Sequence, residues 1–186
     1  MNIKEKLTDQ LKAYQAYDDT ESKGIQDFLD YLDREGDVFG KINPRGHVTA
    51  SAWIISPELD RALLVHHRSL DLWLQMGGHT EEGEDLITGA KREVEEESGL
   101  SEVNLLMEDI FDVDVHFIPA NDKTPGHYHY DVRYVFQADP EETLIISEES
   151  KALEWVDLDQ VMTYNPSPSV TRMVVKTQAL TVSKHM

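Results

Sequence analysis

The chain has 186 residues, of which 36 are acidic and 17 are basic, giving a formal net charge of −19. Hydrophobic residues make up 40% and charged residues 28%, a composition typical of a globular protein built around one main core. A surface this acidic disfavours nucleic acid as the main partner, and the lack of cysteine excludes disulfides, thiolate zinc sites and a cysteine nucleophile.

The N-terminal segment predicts two helices ahead of the main domain. Apolar residues recur there at helical spacing in two stretches, and Asp18 with Glu21 predicts a capping box for the second helix. The segment is charged and amphipathic, so it reads as neither a signal peptide nor a membrane span, and no later apolar run is long enough to cross a membrane. We therefore expect a helical extension over 1–36, a main domain over 37–186, and a cytoplasmic protein without a membrane partner.

Short strands and a few helices follow a loop rich in glycine. Strands are predicted near 48–56, 61–67, 70–76, 105–118, 128–138, 143–147 and 152–157. A helix is predicted at 86–98, where Asp85 can cap the start and Gly99 can end it in the left-handed conformation. A last helix has Pro168 at its first position. Strands mixed with helices, without regular alternation, indicate an α+β layered fold.

The densest group of candidate catalytic residues lies on the predicted 86–98 helix. At about 100° per residue, Glu93, Glu96 and Glu97 fall on one side, next to an apolar stripe that can pack on a sheet. Like charges at this spacing destabilise a helix unless a hard cation lies among their oxygens, and Mg²⁺ suits such a site. Arg92 lies four residues before Glu96 and can pair with it. The alternative interpretation is a solvated acidic helix face.

The residues around this helix resemble the signature of the Nudix hydrolase family. That signature reads Gly, five residues, Glu, seven residues, Arg-Glu, an aliphatic residue, any residue, Glu-Glu, any residue, Gly and an aliphatic residue. The matching positions here are Gly78, Glu84, Arg92, Glu93, Val94, Glu96, Glu97, Gly99 and Leu100. Every fixed position is present over 78–100, although Met76 stands where many members carry proline.

The resemblance implies a Nudix-type α/β/α sandwich with a mixed β-sheet and an enzyme that cleaves a pyrophosphate bond in a nucleoside diphosphate linked to another group. By similarity, Glu93 and Glu97 are the leading ligands of Mg²⁺ (or Mn²⁺), with Glu96 close behind. The backbone carbonyl of Gly77 is a further expected ligand, and Arg92 would orient Glu96. A small, phosphorylated, nucleotide-like substrate is implied, and a homodimer is one expectation because family members are often dimers.

A general base is expected outside the signature. A bound metal ion lowers the pKa of water, and a carboxylate then takes the proton. Family members often supply this carboxylate from a later loop, and Glu148 and Glu149 are the candidates here because they precede the strand that carries Trp155. The alternative interpretation of this pair is an ordinary acidic turn.

A second group of polar residues is predicted on a hairpin joined by the loop 119–127. Alternate positions on its two strands carry Asp112, Asp114 and His116, then His127, His129, Asp131 and Arg133. A register that pairs His116 with His127 brings these side chains onto one face. That face is interpreted as binding substrate through His127, His129 and Arg133, or as an extra metal site. The alternative is a solvent-facing sheet surface with cross-strand charge pairs.

Three functions are compatible with the resemblance. The first is a pyrophosphate-cleaving hydrolase. The second is a non-catalytic Nudix-fold ligand-binding or sensor module, but such modules often lose signature carboxylates, and all are retained here. The third is an isopentenyl-diphosphate isomerase, whose relatives use an active-site cysteine that this chain lacks. We therefore predict a hydrolase.

Overall fold

The computed structural model describes residues 2–40, 43–81, 83–120 and 124–184, which form two compact units. The first unit comprises Met1–Ser51, Gly78–Ala90 and Glu108–Tyr134, and the second comprises Ala52–Gly77, Lys91–Met107 and Val135–Met186. The helices are α1 (Ile3–Ala13), α2 (Asp19–Arg34), α3 (Leu86–Ser98), α4 (Val161–Tyr164) and α5 (Pro168–Lys184). The strands are β1 (Gly46–Ile55), β2 (Arg61–His67), β3 (Leu72–Leu74), β4 (Met76–His79), β5 (Asn104–Leu105), β6 (Asp112–Ile118), β7 (His127–Gln137) and β8 (Ser150–Asp157).

Helices α1 and α2 confirm the helical pair predicted for the N-terminal segment, and they belong to the first unit. Asp18 caps α2 as predicted, because its side chain accepts the backbone N–H of Glu21 at 2.7 Å. In a capping box the Glu21 carboxylate would accept the backbone N–H of Asp18, but the buried carboxylate makes other contacts. It accepts the backbone N–H groups of Tyr17 and Val113, so it ties the start of α2 to β6. The domain boundary at residue 36 stays a prediction.

In the first unit, β6 and β7 form the predicted antiparallel hairpin, and α2 covers its apolar face. Val113 lies opposite Val132 in the ladder. The rings of Phe28 and Tyr31 on α2 lie 5.2 and 4.0 Å from the ring of Tyr130, measured between centroids. The predicted separation of an apolar and a polar face is therefore confirmed, and α2 covers the apolar one. Residues 121–123 of the predicted loop lie outside the described residues.

The predicted register of this hairpin is wrong by two residues. His116 lies opposite His129, not opposite His127. A shift of two residues keeps every side chain on its face, so the alternation of polar and apolar residues cannot choose between the two registers. In the observed register Arg133 lies opposite Asp112, which places opposite charges side by side.

In the second unit, β2 pairs antiparallel with β1, β3 and β8, and β5 pairs with the end of β7. Trp53 is fully buried in this unit, and its indole N–H donates to the hydroxyl of Thr177 on α5 at 2.9 Å. Helix α5 begins at Pro168, as predicted. No helix in the described part of the chain combines the length and apolarity that crossing a membrane requires.

Three predicted strands differ from the observed ones. The stretch 143–147 contains no strand: Ile145 and Ile146 are 64% and 53% exposed, and the N–H of Ile145 donates to the carbonyl at the end of α3. The predicted strand 70–76 divides into β3 and β4. The predicted strand 105–118 divides into β5 and β6 because the chain bends after Leu105. Ile110 and Phe111, which follow the bend and precede β6, are buried.

Candidate active site

The loop that precedes α3, in the first unit, is held by Glu84. One oxygen of its carboxylate, Oε2, accepts the backbone N–H of Glu81 at 2.9 Å. A Cβ atom at Gly89 would lie 3.0 Å from the same oxygen, so a larger residue at Gly89 would press on this carboxylate. Through these contacts the carboxylate of Glu84 supports the loop that leads into α3.

The C-terminal half of α3, in the second unit, carries Glu93, Glu96 and Glu97, which we call the glutamate cluster. The Nη1 atom of Arg92 lies 3.1 Å from a carboxylate oxygen of Glu96, which confirms the predicted pairing, and 3.0 Å from one of Glu93. The side chain of Glu93 is 14% exposed and that of Glu96 is 57% exposed. Arg92 therefore fixes one enclosed and one solvent-facing carboxylate at the same time.

Glu97 has the least favourable electrostatic environment in the cluster. Its Oε2 atom is buried and has no hydrogen-bond partner within the described residues, while the backbone N–H of Gly77 donates to the carboxylate group. Burial, and then the charges of Glu93 and Glu149, raise the pKa of Glu97 from 4.5 to about 8. Burial also raises the pKa of Glu93, against the opposing effect of Arg92. Two of the three carboxylates of the cluster, Glu93 and Glu97, therefore lie where water screens their repulsion poorly.

Arg68, which the sequence analysis did not identify, fixes the turn that carries Glu148 and Glu149. Its Nε atom donates to the carbonyl of Glu148 at 2.9 Å, and Nη2 donates to the carbonyl of Ser150 at 2.7 Å. The backbone N–H of Arg68 donates to the carbonyl of Glu149, also at 2.9 Å. The charge of Glu149 raises the pKa of both enclosed members of the glutamate cluster, so Glu149 is the residue of this pair that acts on the cluster.

The residues of this site fit a hard divalent cation. The glutamate cluster and Glu149 offer only oxygen donors, and a cation among them would neutralise the repulsion and give Oε2 of Glu97 a partner. The three helix carboxylates are not as tightly convergent as a preformed cage: within the described residues, only a group of histidines brings three potential ligand atoms within 4.8 Å of one another. Mg²⁺ retains several waters and needs only one or two carboxylates, so it does not require three converging side-chain ligands.

The raised pKa of Glu97 gives a testable pH dependence of stability. Its pKa is about 8 in the folded protein and about 4.5 in the unfolded chain, so the stabilisation is complete below pH 4.5 and is lost as the pH rises through 8. Without metal, we expect a loss on the order of 2 kcal/mol over this interval, because the side chain can recover part of its hydration by turning outward. Urea unfolding in chelator should show this slope in the wild type and not in Glu97→Gln; equal slopes would contradict it.

A second polar group, in the first unit, consists of His47, His127 and His129, which we call the histidine cluster. The Nε2 atoms of His127 and His129 lie 3.2 Å apart, and the ring of His47 is centred 4.7 and 5.1 Å from the rings of these two residues. His47 and His127 are 5% and 8% exposed. Burial lowers the pKa of His129 to about 2, assisted by the surrounding histidines, so its imidazole is neutral.

The sequence predicts two members of this cluster, His127 and His129, but not His47. A signal was available, because His47, Thr49 and Ser51 alternate along β1 and therefore share a face. The hydroxyls of Thr49 and Ser51 donate to the carboxylate of Asp131 at 2.9 and 2.8 Å, and β1 lies beside β7 in the sheet, so the polar face of the hairpin continues onto β1. The ring of His79, at the end of β4, is centred 4.4 Å from the ring of His47.

Arg133 lies in a buried ion-pair network on the same hairpin. Its side chain is 3% exposed, and its nitrogens lie 2.8, 3.2 and 3.2 Å from carboxylate oxygens of Asp131, Asp112 and Asp114. Burial acts to lower the pKa of Arg133, but Asp114, Asp131 and Asp112 together outweigh burial and raise it. The guanidinium is thus permanently charged and already surrounded by anions.

Three solved structures illustrate the proteins that share this fold. A NUDIX-family hydrolase from Clostridium perfringens is 25% identical, covers 76% of this chain and 99% of its own, and has a TM-score of 0.53. A C. elegans Ap4A hydrolase in a binary complex is 18% identical, with 73% and 98% coverage and a TM-score of 0.59. The E. coli dihydroneopterin triphosphate pyrophosphohydrolase is 18% identical, with 74% and 95% coverage and a TM-score of 0.54.

The family is established by sequence as well as by structure. No curated protein matches the sequence significantly. The NUDIX domain model, in contrast, matches residues 45–174, which contain the complete signature, the glutamate cluster and the turn at Glu149. The chain therefore belongs to the NUDIX domain family, which confirms the Nudix hydrolase and the α+β fold predicted from the signature over 78–100.

Proposed function

We propose that this chain uses Mg²⁺ (or Mn²⁺) to hydrolyse the pyrophosphate linkage of a small, phosphorylated, nucleotide-like substrate. The observation that carries the proposal is the carboxylate of Glu97: its Oε2 is buried without a hydrogen-bond partner within the described residues, and burial, then the charges of Glu93 and Glu149, raise its pKa. Such a concentration of anions is unfavourable alone and becomes favourable when a divalent cation completes it. A diphosphate brings further oxygen ligands to the same ion.

The residues of the glutamate cluster would hold the ion through their oxygens, with the carbonyl of Gly77 as the further ligand implied by the family. When bound, the ion supplies charge neutralisation to the phosphates and lowers the pKa of water. Arg92 keeps Glu93 and Glu96 in fixed rotamers through its two ion pairs, so it acts as a positioning residue. The amide of Gly77 orients the carboxylate of Glu97.

Glu149 is proposed as the general base in preference to Glu148. The charge of Glu149 is among the main causes that raise the pKa of the two enclosed carboxylates of the glutamate cluster, and Glu148 is not among them. Arg68 holds the backbone of this turn through three carbonyl groups, so the position of Glu149 does not depend on its exposed side chain alone. A base held in this way can take a proton from water while its orientation is maintained.

We expect Glu149→Gln to reduce turnover by roughly 10²–10⁴-fold, the usual contribution of a positioned general base. Glu148→Gln is the matched control, since it removes the same charge one residue earlier, and should stay within about threefold of the wild type. Initial rates at saturating Mg²⁺ measure both. A reversed order of the two variants would transfer the role to Glu148, and unchanged rates in both would remove the base from this turn.

The predicted substrate contacts stay predictions, and the structure favours the two histidines over Arg133. His127 and His129 lie on the polar face of the hairpin, where His129 is half-buried and carries a neutral ring. Arg133 is 3% exposed and already bound to three aspartates, so we propose that it organises this face rather than holding a phosphate. A homodimer and a cytoplasmic location are further expectations from the sequence.

A release assay across a panel of substrates tests the function. The structural neighbours include an Ap4A hydrolase and a dihydroneopterin triphosphate pyrophosphohydrolase, so the panel should include dinucleoside polyphosphates and triphosphates besides nucleotide sugars. We expect phosphate or nucleotide release from at least one class, dependent on Mg²⁺ and abolished by chelator. Tight binding of a nucleotide without release would instead identify the chain as a ligand-binding module.

A further inference from the structure

The histidine cluster is a preformed group of nitrogen ligands outside the signature. His47, His127 and His129 each offer one ring nitrogen, and the three nitrogens all lie within 4.8 Å of one another. No other three histidine or acidic side chains in the described part of the chain converge this closely. The cluster belongs wholly to the first unit, and two of its rings are buried.

Hydrogen bonding fixes which nitrogen of His127 is available. Its Nδ1 lies 2.8 Å from the carbonyl oxygen of Pro125. A carbonyl only accepts, so Nδ1 must carry the proton and Nε2 must present its lone pair. A backbone carbonyl that binds the second ring nitrogen is the usual support of a metal-bound histidine, because it fixes both the tautomer and the ring orientation.

The spacing of one pair of these nitrogens matches two ligands of a tetrahedral ion. The Nε2 atoms of His127 and His129 are 3.2 Å apart. Two ligands of a tetrahedral zinc ion with Zn–N bonds of about 2.0–2.1 Å lie about 3.3 Å from each other. A proton shared between the two rings would also explain this pair, but it would not explain why a nitrogen of His47 converges on the same point.

We propose that His47, His127 and His129 bind a transition-metal ion that prefers nitrogen ligands, and Zn²⁺ is the expected ion. The residues of this site are all different from those of the glutamate cluster. Imidazoles suit Zn²⁺, Co²⁺ and Ni²⁺, whereas Mg²⁺ prefers the oxygens of carboxylates. The net charge of −19 favours cation uptake. Three protein ligands leave the fourth position for water or for a further side chain. This proposal stands whether or not the chain hydrolyses a pyrophosphate.

The experiment is a calorimetric titration of the full chain with Zn²⁺, after chelator treatment, in excess Mg²⁺ so that the carboxylates are occupied. We expect one tightly bound Zn²⁺ per chain, and an affinity at least about tenfold lower in His127→Ala and in His129→Ala. His66→Ala is the matched control: its ring pairs with Asp71 in the second unit, and its removal should leave zinc affinity unchanged.

Cobalt substitution keeps the test decisive if a histidine variant fails to fold. In the wild type, Co²⁺ at a tetrahedral nitrogen site should give strong visible absorption that added Zn²⁺ removes and added Mg²⁺ does not. Failure of the wild type to take up Zn²⁺ in excess Mg²⁺ would overturn the proposal. Equal zinc affinity in the wild type and in a folded His127→Ala variant would overturn it as well.

Discussion

Glu97→Gln should lower metal-dependent turnover by roughly 10²-fold or more while leaving the fold intact. Glutamine has the shape of glutamate, so the packing around the buried side chain is retained. The variant lacks the charge that the cation requires. It also removes the burial of that charge and its repulsion by Glu93 and Glu149, which together raise the pKa of Glu97 to about 8. Lower activity combined with equal or higher stability without metal is a result that simple misfolding cannot produce.

The measurement combines initial rates at saturating Mg²⁺ with thermal unfolding with and without Mg²⁺. Binding to the folded state raises the unfolding temperature, so the wild type should gain stability from Mg²⁺ and Glu97→Gln should gain little. Glu95→Gln is the control on the same helix, because Glu95 is exposed and should retain near wild-type rates and the Mg²⁺ effect. Full activity in Glu97→Gln would contradict the proposed use of the glutamate cluster.

The helix that carries this cluster was predictable because its signals are local. Asp85 accepts the backbone N–H of Ile87 at 3.1 Å, and Gly99 has a φ of +71°, so both ends follow from the residues that occupy them. The periodicity of the side chains then fixes which face is apolar. The signature added the chemical interpretation, which periodicity cannot supply.

The hairpin register and the histidine cluster were harder to predict from the sequence because they depend on contacts between residues distant in the chain. The alternation in β6 and β7 determines faces but permits shifts of two residues, and the ion pair of Arg133 with Asp112 becomes visible only in the folded pairing. His47 joins the cluster because β1 packs beside β7. Likewise, the burial of Glu97 depends on tertiary packing. The hydrogen bond from Arg68 to the turn that carries Glu149 also joins residues distant in sequence.

Arg133→Met should destabilise the protein by about 3–5 kcal/mol, the largest stability effect we expect from a single substitution. Methionine fills similar volume, but it leaves the carboxylates of Asp112, Asp114 and Asp131 without their common cation. Asp112 is fully buried, so its charge cannot recover hydration without moving the strand. The cost therefore comes from the anions left behind more than from the lost contacts.

Urea unfolding at neutral pH measures this effect, with Arg45→Met as control. Arg45 also pairs with a carboxylate, Glu35 at 2.6 Å, but its side chain is 78% exposed, so its loss should cost less than about 1 kcal/mol. Adding Asp131→Asn to Arg133→Met should recover part of the stability, because it removes one uncompensated charge and keeps acceptors for Thr49 and Ser51. If Arg133→Met were as mild as the control, the network would contribute little to the hairpin, and the positioning role of Arg133 would have to be abandoned.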